Sequence, residues 1–139
     1  MSACVVDASV AAAWFLPDEA SALTEAALEY TAAAQVWVPA LWLLEIGNLL
    51  LTAQRRGWID PAKRAQLADR ATRLSIRVDR EPVPISTLDA LAARYGLTAY
   101  DAAYLELALR RSLPLVTLDS ALSAAMAAAG VRSMDFAVR

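Results

Sequence analysis

Four short segments rich in β-branched residues, ACVV (3–6), QVWVP (35–39), SIRVD (75–79) and LPLVTL (113–118), are separated by stretches of helical composition. This alternation constrains the fold more than any other feature of the chain. Strands that alternate with helices pair in parallel, and a parallel sheet needs helices on both faces. Right-handed crossovers then leave a doubly wound α/β/α sandwich, three layers around a central, mostly parallel sheet. The 139 residues show no internal repeat and no flexible linker, so one domain spanning 1–139 is expected.

Local signals set the helices. SVAAAWFL (9–16) follows the first strand, and the chain breaks at Pro17-Asp18. DEASALTEAALEYTAAA (18–34) reads as a long helix with an acidic first turn. The next helix, from Pro39 to Gln54, closes at Arg55-Arg56-Gly57, with basic residues and a glycine at its end. Asp60-Pro61 is an N-cap followed by proline at N1, opening a helix that runs to about Ser75. ISTLDALAARYG (85–96), LTAYDAAYLELALRR (97–111) and DSALSAAMAAAG (119–130) are further helices, and VRSMDF (131–136) is a candidate last strand.

Composition excludes much chemistry. There is no histidine, which removes Ser-His-Asp triads, histidine bases and HExxH zinc sites. One cysteine, Cys4, supports neither a disulfide framework nor a zinc cluster and fits a reducing cytoplasm. The N-terminus lacks a basic leader and Asp7 interrupts its apolar run, so it reads as mature protein. No stretch of 18 apolar residues is present to cross a membrane. A net charge of −2 and a pI near 5.1 argue against broad electrostatic adhesion to nucleic acid.

Whatever chemistry exists must therefore run on carboxylates, hydroxyls, arginine or a bound ion. Asp7 ends the first strand and Asp119 follows the last of the four, on the sheet edge where open α/β folds hold ligands. Each can equally be a helix N-cap. Asp101 stands three residues after Thr98, a capping-box spacing, yet shares an inward face with Ala102, Leu105 and Ala108. Glu45 sits on the apolar stripe of Leu41, Trp42, Ile46, Leu49 and Leu50, where an unpaired carboxylate is unfavourable. Asn48, one turn on, can donate a hydrogen bond but brings no charge. A distant arginine or a shared cation would resolve the conflict. An oxygen-only donor set selects a hard ion, Mg2+ or Mn2+, and acid clusters around such ions suit phosphodiester hydrolysis.

VVDASV, LLEIGNLL, LTAYDAAYLELA and LVTLD, in that order, resemble the motifs of PIN-domain ribonucleases, most closely the VapC-type toxins of bacterial toxin–antitoxin pairs. The resemblance spans essentially the whole chain. It implies a metal-dependent endoribonuclease with Asp7, Glu45, Asp101 and Asp119 as its acidic site, Asp7 and Asp101 being the foremost ligands of Mg2+ or Mn2+. It places Ser9 and Thr117 as hydroxyls near the site, though both also suit an ordinary turn and strand. The substrate it implies is structured cellular RNA of the tRNA or rRNA class, cut by in-line attack of an activated water. It further implies a cognate VapB-type antitoxin that blocks the site, a homodimer and a cytoplasmic location. A PIN-like module that binds RNA or protein without cutting is the alternative. Receiver domains, haloacid-dehalogenase phosphatases and P-loop or dinucleotide sites lack, respectively, their lysine, second aspartate and glycines here.

Two arginine pairs, Arg55-Arg56 and Arg110-Arg111, are candidates for a phosphate-binding rim or, alternatively, for neutralising helix C-termini. Among Trp14, Phe15, Trp37, Trp42 and Trp58, the pair Trp14-Phe15 is the expected exposed groove.

Overall fold

The computed structural model describes residues 2–16, 18 and 20–134. In chain order the elements are β1 (Ala3–Val6), α1 (Ala8–Phe15), α2 (Ala22–Ala33), β2 (Gln35–Pro39), α3 (Leu41–Arg55), α4 (Pro61–Arg73), β3 (Ile76–Asp79), α5 (Ile85–Tyr95), α6 (Ala99–Arg111), β4 (Leu115–Val116) and α7 (Ser120–Ala129). The strands form one parallel sheet in the order β3-β2-β1-β4, with Val5 opposite Trp37 on one side and Leu115 on the other.

That order places the site. From β1 the chain steps to β2 and on to β3, then returns to lay β4 on the far side of β1. Right-handed crossovers put α1–α4 over one face and α5–α6 over the other. The helix contacts agree, joining α1 to α2 and α3, α3 to α4, and separately α6 to α5 and α7. The direction of winding reverses between β1 and β4, so a crevice opens at their carboxyl ends.

Burial on both faces explains why β1 reads as a nearly unbroken apolar run. Cys4, Val5, Val6, Val36, Val38, Leu115 and Val116 meet Val10, Ala11, Trp14 and Phe15 from one side and Tyr104, Leu105 and Leu107 from the other in one buried cluster. Caps set the helix ends as read from sequence at Asp60, Thr98 and Asp119, and left-handed Gly96 and Gly130 close α5 and α7.

Three boundaries differ. Helix α2 begins at Ala22, not at Asp18, because Ser21 and Thr24 form a reciprocal capping box that fixes the start. Only Leu115 and Val116 of LPLVTL pair in the sheet. Residues 131–134 form no strand, although Leu115 donates its backbone N–H to the Arg132 carbonyl at 3.0 Å; the rest of VRSMDF lies outside the described residues. No helix is long and apolar enough to cross a membrane among the described residues.

Candidate acidic site at the switch point

Asp7 follows the last residue of β1 and caps α1, and its backbone N–H donates to the Val116 carbonyl at 3.1 Å. Its side chain is buried. Oδ1 accepts from the Ser9 amide at 3.0 Å, the Ser9 hydroxyl at 2.5 Å and the Val10 amide at 3.3 Å. Oδ2 accepts from the Thr117 hydroxyl at 2.5 Å. A carboxylate has about four lone-pair sites, and the donors crowd Oδ1, so the acceptor capacity left on Asp7 lies on Oδ2.

Both hydroxyls are also acceptors. Ser9 Oγ receives the Leu118 amide and Thr117 Oγ1 the Asp119 amide, each at 3.0 Å. These two residues therefore tie the start of α1 to the β4–α7 turn that carries Asp119. Asp119 caps α7 by accepting the Leu122 amide on Oδ2 at 2.8 Å. The N-cap readings of Asp7 and Asp119 hold, and they leave part of each carboxylate uncommitted.

Glu45 is half-buried on α3. The Tyr104 hydroxyl, from α6, donates to its Oε1 at 2.6 Å. Asp101 stands one turn before Tyr104 and donates its backbone N–H to the Thr98 cap. Burial raises the Asp7, Glu45 and Asp101 carboxyls above the usual aspartate and glutamate range. Hydrogen bonds from Ser9 and Thr117 to Asp7, and from Tyr104 to Glu45, work the other way. Mutual repulsion adds to burial: Asp7 and Asp101 act on Glu45, while Asp119 and Asp7 act on Asp101. The structure thus gathers all four expected acids at one edge, and no ion pair among the described residues neutralises any of them.

A recess of about 350 Å³ lies beside Glu45, lined also by Ala8, Ser9, Ala12, Asn48 and Thr52 among others. Asn48 is exposed there, a turn from Glu45. The oxygen donors suit a hard cation. Among the described residues, however, no three acids stand close enough to enclose an ion unaided.

Other expectations are corrected. Arg110 and Arg111 are not a free phosphate rim. Arg110 binds Asp79, Glu81 and Glu106, and Arg111 binds Asp79 while lying 3.6 Å from the centre of the Trp37 ring. The Arg110 guanidinium, with the Arg111 side chain beside it, holds the Asp79 carboxyl down at about 2. Asp79 ends β3 just as Asp7 ends β1, so the strand-end pattern could have flagged it; the two arginines claim it instead. Trp14 and Phe15 are buried core residues, not exposed ones, with the Trp14 indole donating to the Thr24 carbonyl at 2.8 Å, although both line a recess of about 330 Å³ with Trp58, Ile59 and Leu67. Arg55 and Arg56 are exposed, and Arg56 lies 5.3 Å from the ring of Trp58, which is also exposed.

A switch-point crevice lined by acids on this topology defines a class, and sequence comparison agrees: residues 4–127 match the PIN domain family model. The chain belongs to the PIN-domain family. It is 31% identical over 121 residues to Ribonuclease VapC3 of Pyrobaculum aerophilum, covering 86% of this chain and 91% of that one. The crystal structure of PAE2754 from Pyrobaculum aerophilum superposes with a TM-score of 0.69 at 28% identity, covering 90% of this chain and 84% of that one. A toxin–antitoxin complex from Klebsiella pneumoniae shares the fold, with a TM-score of 0.60 at 17% identity over 84% of this chain and 87% of that one.

Proposed function

We propose that this chain is a metal-dependent endoribonuclease, the toxin of a type II toxin–antitoxin pair, with Asp7, Glu45, Asp101 and Asp119 as its catalytic acids. One observation carries the reading: burial and, beside it, mutual repulsion raise the proton affinity of Glu45 and Asp101, and no ion pair among the described residues neutralises any of the four acids. Likeness to Ribonuclease VapC3 over most of both chains supports the choice of RNA as substrate.

Asp7, through its free capacity on Oδ2, and Asp101 would hold Mg2+ or Mn2+, with Glu45 and Asp119 beside them and water completing the shell, as is usual for magnesium. When bound, such an ion offsets the carboxylate repulsion, polarises the scissile phosphate and eases ionisation of the attacking water. The chain's own groups do the rest. Ser9 and Thr117 hold Asp7 in one orientation and set the Asp119 turn against it. A carboxylate with raised proton affinity is the better proton acceptor near neutral pH, a part open to Glu45 or Asp101. Exposed Arg55 and Arg56 supply a rim for the RNA backbone. The substrate belongs to the tRNA or rRNA class. A VapB-type antitoxin silences the site, and the protein acts in the cytoplasm as a homodimer.

Among the described residues no three acids form a ready-made enclosure, which favours a second reading, a PIN-like module that binds RNA or protein without cutting it. Incubating the purified, partner-free chain with total cellular RNA in Mg2+, Mn2+ or chelator separates the two. Discrete fragments that need the metal and vanish with Asp7→Asn are expected. Intact RNA under every condition, from folded protein that also takes up no Mn2+, would select the binding module.

A further inference from the structure

The Tyr104 hydroxyl stands between two acid-bearing helices, α6 and α3. It is on α6, one turn after Asp101, and the residue is almost wholly buried. Its proton goes to Glu45 Oε1 on α3 at 2.6 Å. The backbone N–H of Ala8, the first residue of α1 and the neighbour of Asp7, acts on the phenol from the α1 side. The hydroxyl has a single proton to give, and here it is directed at Glu45.

We infer that Tyr104 is a positioning residue: it fixes the Glu45 carboxylate by its Oε1, leaves Oε2 for the acidic crevice, and sets α3 and α6 in register around it. The geometry stands by itself, and the functional consequence rests on the nuclease reading above. Glu45 needs such a device because its neighbours push it away. Asp7 and Asp101 both repel it, and a glutamate side chain with three rotatable bonds would swing toward solvent unless something held it. Outer partners that orient a ligand commonly matter 10–100-fold for metal affinity.

Tyr104→Phe keeps the ring that fills the core and removes only the hydroxyl. Its metal-free crystal structure is expected to show the Glu45 carboxylate rotated or spread over several positions; an unmoved carboxylate overturns the inference. Mn2+ titration of wild type, Tyr104→Phe, Glu45→Ala and the double variant gives a second test that needs no activity. The hydroxyl should be worth about tenfold in affinity when Glu45 is present and under about twofold when it is absent. Equal losses in both backgrounds would mean that Tyr104 acts through general packing, which also overturns the inference. A wild type that behaves as expected in both tests yet cuts no RNA would refute the nuclease reading and leave the positioning role standing. Should wild type bind no Mn2+, the crystal structure alone decides.

Discussion

Replacing Asp79 by asparagine tests the electrostatics of the fold away from the acidic crevice. Its side chain is 3% exposed, and its carboxylate accepts Arg110 Nη1 at 3.0 Å and Arg111 Nε at 2.9 Å on Oδ2, with Arg110 Nη2 and the Glu81 amide, each at 3.1 Å, on Oδ1. In Asp79→Asn an amide NH2 must replace one oxygen, and placed at Oδ2 it faces two guanidinium donors. Two charge-assisted bonds of about 1.5–3 kcal/mol each are then lost. The arginine side chains are 28% and 35% exposed, so water recovers part of that. A net cost of about 2–4 kcal/mol follows, or a fall in Tm on the order of 10 °C for a domain of this size. The pH dependence supplies the sharper check. The Asp79 carboxyl is held at about 2 in the folded chain, below its ordinary 3.8. Its stabilisation is therefore complete above the ordinary value and is lost as pH falls through about 2. Circular dichroism melts of both proteins should show a constant gap from pH 7 to 5 that closes between about pH 4 and 2. A gap under about 2 °C at pH 7, or one that persists unchanged at pH 2, would refute the reasoning.

Asp101→Asn is expected to lower RNA cleavage by about a hundredfold or more while the metal-free protein melts at the same or a higher temperature, since one source of repulsion is gone; a clear fall in Tm would assign Asp101 to the fold. Asp7, Glu45 and Asp101 are raised in the folded chain, so it binds protons more tightly than the unfolded chain does, and stability falls as pH rises through the interval between ordinary and raised values. Melts should accordingly show the metal-free protein gaining stability on acidification from neutral pH, and saturating Mg2+ should flatten that slope. Thr117→Val removes the donor to Asp7 Oδ2 and the acceptor of the Asp119 amide without changing side-chain shape; a loss of about 1–3 kcal/mol in urea unfolding and slower cleavage are expected, and an unchanged cleavage rate would remove Thr117 from the site.

The fold was legible because its signals are local. A strand buried on both faces writes itself as ACVV, and caps such as Asp60-Pro61, Thr98 and Gly96 act within one turn. Where two local signals compete, the reading slipped. Asp18-Glu19 resembles an acidic first turn, but the Ser21–Thr24 box makes two reciprocal hydrogen bonds and takes the helix start. LPLVTL has strand composition over six residues, yet only Leu115 and Val116 pair with β1 and Thr117 turns out to serve Asp7.

The partners of the charged groups were not legible, because they are long-range. Tyr104 lies 59 positions from Glu45, and Arg110 lies 31 from Asp79. The sequence offered one clue to each. Tyr104 is three residues after Asp101, on the same side of α6, and Asp79 ends a strand as Asp7 does. The clues separate two kinds of buried acid that look alike in sequence. Asp79 is met by two guanidinium groups and a backbone amide, and its carboxyl is driven down, as a structural ion cluster requires. Glu45 is driven up by burial and further by Asp7 and Asp101, with only the neutral Tyr104 phenol working the other way. Burial alone would fit either acid to a structural role. The sign of the surrounding charge tells them apart: a site already neutralised has no use for a cation, whereas the like charges gathered around Glu45 are what the proposed Mg2+ or Mn2+ would offset.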